Sequence, residues 1–85
     1  MNEAGFTPEQ CRAARALLDW SQDDLAAKAK IGIKTLQLFE GGQRDPYPRT
    51  LEAIRLTLER AGVDFIAENG GGPGVRLVKK PKKKG

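Results

Sequence analysis

The side chains that most often perform acid–base or nucleophilic chemistry are nearly absent from this 85-residue chain. It has no His, and Cys11 is its single Cys. This removes Ser–His and Cys–His nucleophile pairs, Cys/His zinc clusters and a disulfide framework. The eleven acidic residues are scattered along the chain, and the sequence places no pair of them in one cleft. We therefore expect a protein that is not an enzyme and that uses no metal or other cofactor.

The remaining polar side chains must be positioned by helices, and the sequence marks where the first two begin. Thr7-Pro8-Glu9-Gln10 is a capping-box pattern, which predicts a first helix that runs to about Asp19. Ser21-Gln22-Asp23-Asp24 predicts the start of a second helix. Here Ser caps free backbone N–H groups, and acids in the first turn suit the helix dipole.

Two more helices are predicted further along the chain. The third runs over about Ile33–Glu40 and is stopped by Gly41-Gly42, and the fourth runs over about Arg49–Arg60 and is stopped by Gly62. Apolar residues recur at helical spacing along the four segments. They are Cys11, Ala14, Leu17, Leu18, Leu25, Ala26, Ala29, Leu36, Phe39, Leu51, Ile54 and Leu58.

After the fourth helix the apolar period changes from 3.6 to 2, which indicates strands. Residues 63–68 and 75–78 alternate on either side of a Gly-rich loop over 69–74, as in a short β-hairpin or in two strands that pair elsewhere. The predicted fold is mainly α, with four helices followed by a C-terminal β-hairpin. We divide the chain into a helical domain of residues 1–62, the hairpin of residues 63–78 and a disordered lysine-rich tail of residues 79–85.

The second and third helices, over 22–29 and 33–40, match the helix-turn-helix plan. A DNA major groove admits one α-helix, and a second helix holds it across the backbone. Small residues suit the place where the two helices cross, and apolar residues are needed only on the inner side of the reading helix. The opposite side of that helix carries Lys34, Thr35 and Leu38, with Gln37 and Ile33 at its edges.

Three stretches around this helix pair resemble a known family. They are Trp20–Ala26, the Thr35-Leu36 step, and Phe39–Gly42 followed by Pro46. The pattern is similar to lambda-repressor-like (Xre-type) DNA-binding domains, which show S-Q-x-x-L-A, then T-[IL], then E-x-G and a proline. The resemblance covers about residues 8–61, and the motifs taken together are strongly specific.

The end of the chain, from Gly62 to Leu77, is similar to a group of very short bacterial regulators with the same tail. The family resemblance implies a four-helix lambda-repressor-like helix-turn-helix domain. It also implies a DNA-binding transcriptional regulator that inserts the helix 33–40 into the major groove of double-stranded DNA.

The resemblance further implies roles for individual residues. Gln22 would meet a phosphate or a base edge, and Arg44, with Gln43, would meet the phosphate backbone. Glu40 resembles the family's acid that pairs with an arginine of the first helix, here Arg15, in an architectural ion pair. With Gln37 at the edge of the reading face, the predicted DNA-binding residues are Gln22, Ile33, Lys34, Thr35, Gln37, Leu38, Gln43 and Arg44.

The sequence departs from the family pattern at four positions. Lys30 stands where the turn usually has Gly, and Gly32 stands where the cap is often Ser or Thr. Ile33 and Leu38 are apolar where hydrogen bonds usually read bases. Apolar contacts with thymine methyl groups discriminate less than a bidentate pair, which is worth about 1–3 kcal/mol. Lys34 is then the main polar candidate for a base contact, and sequence specificity is affected more than DNA binding itself.

The net charge of +4 does not by itself indicate nucleic-acid binding. Residues 1–68 hold nine basic and eleven acidic residues, whereas residues 69–85 hold six basic residues and no acid. The positive balance therefore belongs to the tail. A lysine run of this kind is by default a solvated segment, and it adds at most nonspecific, salt-sensitive attraction to DNA.

Targeting signals are not visible in the sequence. No apolar run approaches the roughly 18 residues that suggest a membrane span. Residues 1–5 lack the basic start and apolar stretch of a signal peptide. We expect a cytoplasmic protein with no membrane association and no evident small-molecule ligand.

The hairpin raises the question of what covers it, since an isolated two-stranded ribbon is marginal in water. It packs on the first and fourth helices, or it pairs with a second copy. A single helix-turn-helix also covers only one half-site, and a symmetric dimer reads two half-sites about 34–36 Å apart. We therefore predict a homodimer formed through residues 63–78.

Two other functions remain open. In the first, Ile33 and Leu38 make a helix-in-groove contact with a protein, as in an antitoxin-like or adaptor module. In the second, the tail over 79–85 drives sequence-independent DNA binding.

Overall fold

The computed structural model describes residues 5–67 and 70–78. In chain order the elements are α1 (Pro8–Leu18), α2 (Gln22–Ala29), α3 (Ile33–Glu40), α4 (Pro48–Arg60), β1 (Val63–Ile66) and β2 (Gly74–Leu77). Four helices followed by a two-stranded antiparallel hairpin were predicted, and both are present. The predicted lysine-rich tail over 79–85 lies outside the described residues.

Local hydrogen bonds set the starts of the first two helices. The Thr7 side chain accepts from the Gln10 backbone N–H, and the Gln10 side chain accepts from the Thr7 N–H. Ser21 and Asp24 form the same reciprocal pair at the start of α2, and hydrogen bonding with Ser21 lowers the pKa of Asp24. Both capping boxes use residues three positions apart, which is why they can be read directly from the sequence.

The helix ends differ slightly from the predicted limits. Helix α1 ends at Leu18, and Asp19 caps it in the left-handed conformation with φ of 60°. Lys30 caps α2 with the same φ, so a non-Gly residue occupies the left-handed position between α2 and α3. Helix α4 begins at Pro48 rather than Arg49, because proline suits the first helical position.

The core contains the predicted apolar stripes with one exception and one addition. The exception is Leu17, which shares the helical spacing but is 43% exposed because it lies at the margin of the buried stripe of α1. The addition is Phe6, which is buried and packs its ring against Phe39 at 5.5 Å and against Phe65 at 4.9 Å. The fully or largely buried apolar residues are Phe6, Cys11, Ala14, Leu25, Ala26, Ala29, Leu36, Phe39, Leu51, Ile54, Leu58 and Val63.

The hairpin packs on α1 and α4, which is one of the two alternatives raised by its sequence. Val63 pairs with Leu77 and Phe65 with Val75, so these four side chains share the face that points to the helices. Val63 is buried in the core, and Phe65 and Val75 pack against it. Residues 5–62 and the hairpin therefore share one hydrophobic core.

Gln10 joins the hairpin to α1. Its side chain is almost fully buried, and its Nε2 donates to the carbonyl oxygens of Ile66 at 3.3 Å and Gly74 at 2.9 Å. One residue thus caps α1 and holds the end of the hairpin where the loop joins the two strands.

No helix within residues 5–67 and 70–78 is long and apolar enough to cross a membrane.

Candidate nucleic-acid interface

Helix α3 buries one side and leaves the other open. Leu36 and Phe39 are fully buried on its inner side. Ile33, Lys34 and Gln37 are exposed. These two side chains and the buried Glu40 hold the eight-residue helix, and its outer side remains available for contact.

Thr35 and Leu38 are less exposed than a freely solvated face would be, since both are half-buried. The loop after α3 folds back at this end of the helix. The Leu38 carbonyl accepts from the backbone N–H of Gln43 at 2.9 Å and of Arg44 at 3.3 Å. These bonds hold the exposed Gln43 and Arg44 beside the C-terminal end of α3.

Gln22, at the start of α2, is half-buried and tied to α3. Its Nε2 donates to Glu40 Oε1 at 2.9 Å. This hydrogen bond directs the amide nitrogen toward Glu40 and leaves one amide N–H and the carbonyl oxygen for other partners. The Gln22 side chain is thus held in one orientation rather than free to rotate.

Glu40 is the centre of a buried polar cluster that joins three helices, and only 2% of its surface is exposed. Arg15 of α1 donates to both carboxylate oxygens, from Nε to Oε2 and from Nη2 to Oε1, each at 2.8 Å. Cys11 Sγ, also on α1, lies 3.0 Å from Oε2. Arg15 Nη1 additionally donates to the Trp20 carbonyl, and Arg12 donates to the Glu40 carbonyl.

The hydrogen bonds of this cluster determine its ionisation. Burial alone would raise the pKa of Glu40, but the bonds from Arg15, Cys11 and Gln22 outweigh burial and hold it below its ordinary value. The bond to Glu40 raises the pKa of Arg15. Burial, and then the bond to Glu40, raise the pKa of Cys11 well above its ordinary value, which keeps this thiol protonated and unreactive.

A cleft that the sequence did not predict lies next to this surface. It has a volume of about 350 Å³ and is lined by Thr35, Arg44, Asp45, Pro46, Tyr47 and Thr50. Tyr47 is 83% exposed and precedes α4, whose first turn has no acidic residue and no side-chain cap. The signal in the sequence was Pro48, since proline is favoured at the first helical position and here marks a helix start four residues after Arg44.

The charges around α3 are mixed. Lys34 and Arg44 are exposed bases, whereas Asp23 and Asp45, which follow Gln22 and Arg44 in the chain, are exposed acids. Because the charges are mixed, the surface is suited to a few directed hydrogen bonds rather than to broad electrostatic attraction.

Among the described residues, no group of three or more Cys or acidic side chains is arranged to hold a metal ion.

Comparison with known proteins finds no family model that matches the chain and no curated protein that is significantly similar to it.

Proposed function

We propose that this protein is a cytoplasmic DNA-binding transcriptional regulator whose α2 and α3 form a helix-turn-helix, with α3 inserted into the major groove. The observation that carries the proposal is the two-sidedness of α3. Leu36 and Phe39 anchor its inner side, while Lys34 and Gln37 stay exposed on the outer side. A short helix held this way matches the width of the groove, which admits one helix.

In this proposal, Lys34 donates to the acceptor atoms of a guanine, O6 and N7. Gln22, held by Glu40, offers its remaining amide N–H to a phosphate or its carbonyl to a base amine. Arg44 contacts the phosphate backbone, and Thr35 and Thr50 line the cleft beside it. Ile33 and Leu38 lie where they meet thymine methyl groups, and Gln37 and Gln43 complete the surface.

The two basic residues are expected to differ in how they affect binding. Lys34→Ala should relax selectivity at one base position and cost about 1–3 kcal/mol of binding free energy. Arg44→Ala should weaken binding to all sequences. It should also reduce the slope of the logarithm of the binding constant against the logarithm of the salt concentration by about 1, as expected for one lost phosphate contact. The measurement is selection from a random DNA pool with the intact protein, followed by titrations at several salt concentrations.

Arg60→Ala is the matched control, because Arg60 is an exposed base at the opposite end of α4 from the cleft. All three variants should keep the melting temperature of the parent protein. Losses from Arg60→Ala as large as those from Lys34→Ala and Arg44→Ala would show that α3 is not the DNA surface. Loss of all binding on removal of residues 79–85 would instead favour the sequence-independent binder.

The exposed Ile33 favours a second function, in which α3 docks into the apolar groove of a protein partner, as in an antitoxin-like or adaptor module. Ile33→Lys separates the two functions better than Leu38→Lys, since Leu38 is half-buried and its replacement also disturbs packing. We expect Ile33→Lys to preserve or strengthen DNA binding, because it adds a positive charge beside the duplex. Unchanged stability with complete loss of DNA binding would contradict this expectation.

We further propose that the regulator acts as a homodimer through residues 63–78, since one copy of α3 reads only one half-site.

A further inference from the structure

Strand β2 has an open edge. The Val78 N–H donates to the Gly62 carbonyl, and with the observed register this makes Asp64–Arg76 and Ile66–Gly74 hydrogen-bonded pairs. The N–H and C=O groups of the alternate residues, Val75 and Leu77, therefore point away from β1. No other strand within residues 5–67 and 70–78 pairs with them.

Exposed apolar side chains accompany this edge. The described residues include five large hydrophobic side chains that are exposed, and two of them, Leu77 and Val78, lie at the end of β2. They are 47% and 45% exposed, on opposite faces of the hairpin. A third, Leu17, belongs to α1, the helix against which β2 packs. An unpaired edge with apolar residues on both faces is a template for another strand.

We propose that β2 pairs antiparallel with β2 of a second copy of this chain, giving a continuous four-stranded sheet. A strand edge is complementary to itself about a two-fold axis, so identical chains satisfy the same donors and acceptors on both sides. The evidence for this pairing is the open strand edge alone. The purpose of the pairing, which is to present two copies of α3 to one DNA duplex, rests on the proposed function.

The side chains select one register. Pairing Val75 with Leu77 of the partner subunit places Arg76 opposite Arg76 of the partner subunit, and like charges directly opposite are destabilising. Pairing Val75 with its own counterpart brings Leu77 opposite Pro73 of the partner subunit, which has no N–H to donate.

Pairing Leu77 with Leu77 of the partner subunit avoids both faults. It buries the two leucines against each other and sets Arg76 opposite Val78 of the partner subunit. The Arg76 guanidinium is already drawn toward β1, because its Nη2 lies 2.6 Å from Asp64 Oδ2. Among residues 70–78 of the two copies, this register therefore covers the exposed apolar residues without placing like charges directly opposite each other.

Disulfide trapping tests the register on the full chain without DNA. Leu77→Cys should cross-link to a covalent dimer on mild oxidation, since directly paired residues have Cα atoms about 5.5 Å apart, within disulfide range. Val75→Cys should not cross-link, because the two copies of residue 75 are then four positions out of register. The native Cys11 is fully buried, so the parent chain supplies the uncross-linked reference.

Sedimentation equilibrium tests the association itself. The parent chain should dimerise reversibly and weakly, because a short strand edge buries less than the roughly 1,200–2,000 Å² of a standard interface. Leu77→Lys should shift the dissociation constant at least about tenfold toward monomer, since a charge on a strand edge opposes pairing. Ile33→Lys, at an exposed apolar site outside the hairpin, should leave it unchanged.

A parent chain that stays monomeric into the millimolar range overturns the proposal, as does equal cross-linking of Val75→Cys and Leu77→Cys. If Leu77→Lys does not fold, the two cysteine variants decide the question. If the protein fails to bind DNA, the cross-linking and sedimentation results still test the strand pairing. If the protein is a monomer that still selects one DNA sequence, the strand pairing is wrong and the proposed DNA binding is retained.

Discussion

Replacing Arg15 with Met is expected to lower the free energy of unfolding by about 3–5 kcal/mol, because it leaves a buried carboxylate without its cation. Glu40 is 2% exposed, and Arg15 supplies two of the hydrogen bonds to its carboxylate. The remaining donors, Cys11 and Gln22, are neutral and cannot balance the charge. Urea unfolding at neutral pH measures the loss.

The pH dependence of stability is expected to reverse in this variant. In the parent chain the pKa of Glu40 is lower in the folded state than in the unfolded state. The ionised Glu40 therefore contributes its full stabilisation at any pH above the pKa of the unfolded state. This stabilisation is lost as the pH falls through the pKa of the folded state. Without Arg15, burial dominates and raises the pKa, so the variant is less destabilised when acid neutralises Glu40.

The double variant Arg15→Met/Glu40→Met is the control. Replacing both members of a buried ion pair with apolar residues of similar size is often neutral or stabilising, so we expect most of the lost stability to return. Under the proposed function, its DNA affinity should stay below that of the parent, since Gln22 has lost the carboxylate that directs its amide. A stability loss below about 1 kcal/mol in the single variant would contradict the role given to this ion pair.

Replacing Phe6 with Ala is expected to cost about 3–5 kcal/mol, the usual range for removing a buried Phe side chain. The Phe6 ring is 2% exposed and contacts Phe39 of α3 and Phe65 of β1. It therefore links α3 to the hairpin through the core. Thermal and urea unfolding measure the loss, and hydrogen exchange in β1 should increase because its aromatic partner is gone.

Phe6→Leu is the matched control for this prediction. It keeps an apolar side chain in the same space and loses only the aromatic contacts, so it should cost less than half as much as Phe6→Ala. Equal losses for the two variants would mean that ring packing, rather than buried volume, holds the hairpin to the helices. A negligible loss of stability for Phe6→Ala would contradict the role of Phe6 as a core residue.

Features that depend on residues a few positions apart could be predicted from the order of residues alone. The capping boxes at Thr7 and Ser21 use hydrogen bonds that span three residues, and the buried stripes follow the helical period. The change to a period of 2 after Gly62 located both strands. These features are readable because the groups that make them are neighbours in the chain whatever the rest of the molecule does.

Contacts between distant segments could not be predicted in this way and are seen only in the folded chain. It buried Phe6 and Gln10, left Leu17 half-exposed, and tied Gln22 to Glu40 eighteen residues away. The Arg15–Glu40 partnership was expected from a family resemblance, not from spacing. Its burial and its further link to Gln22 emerge only when three helices meet. Periodicity states which face of an element is apolar, but which elements cover that face, and how far, depends on packing over the whole core.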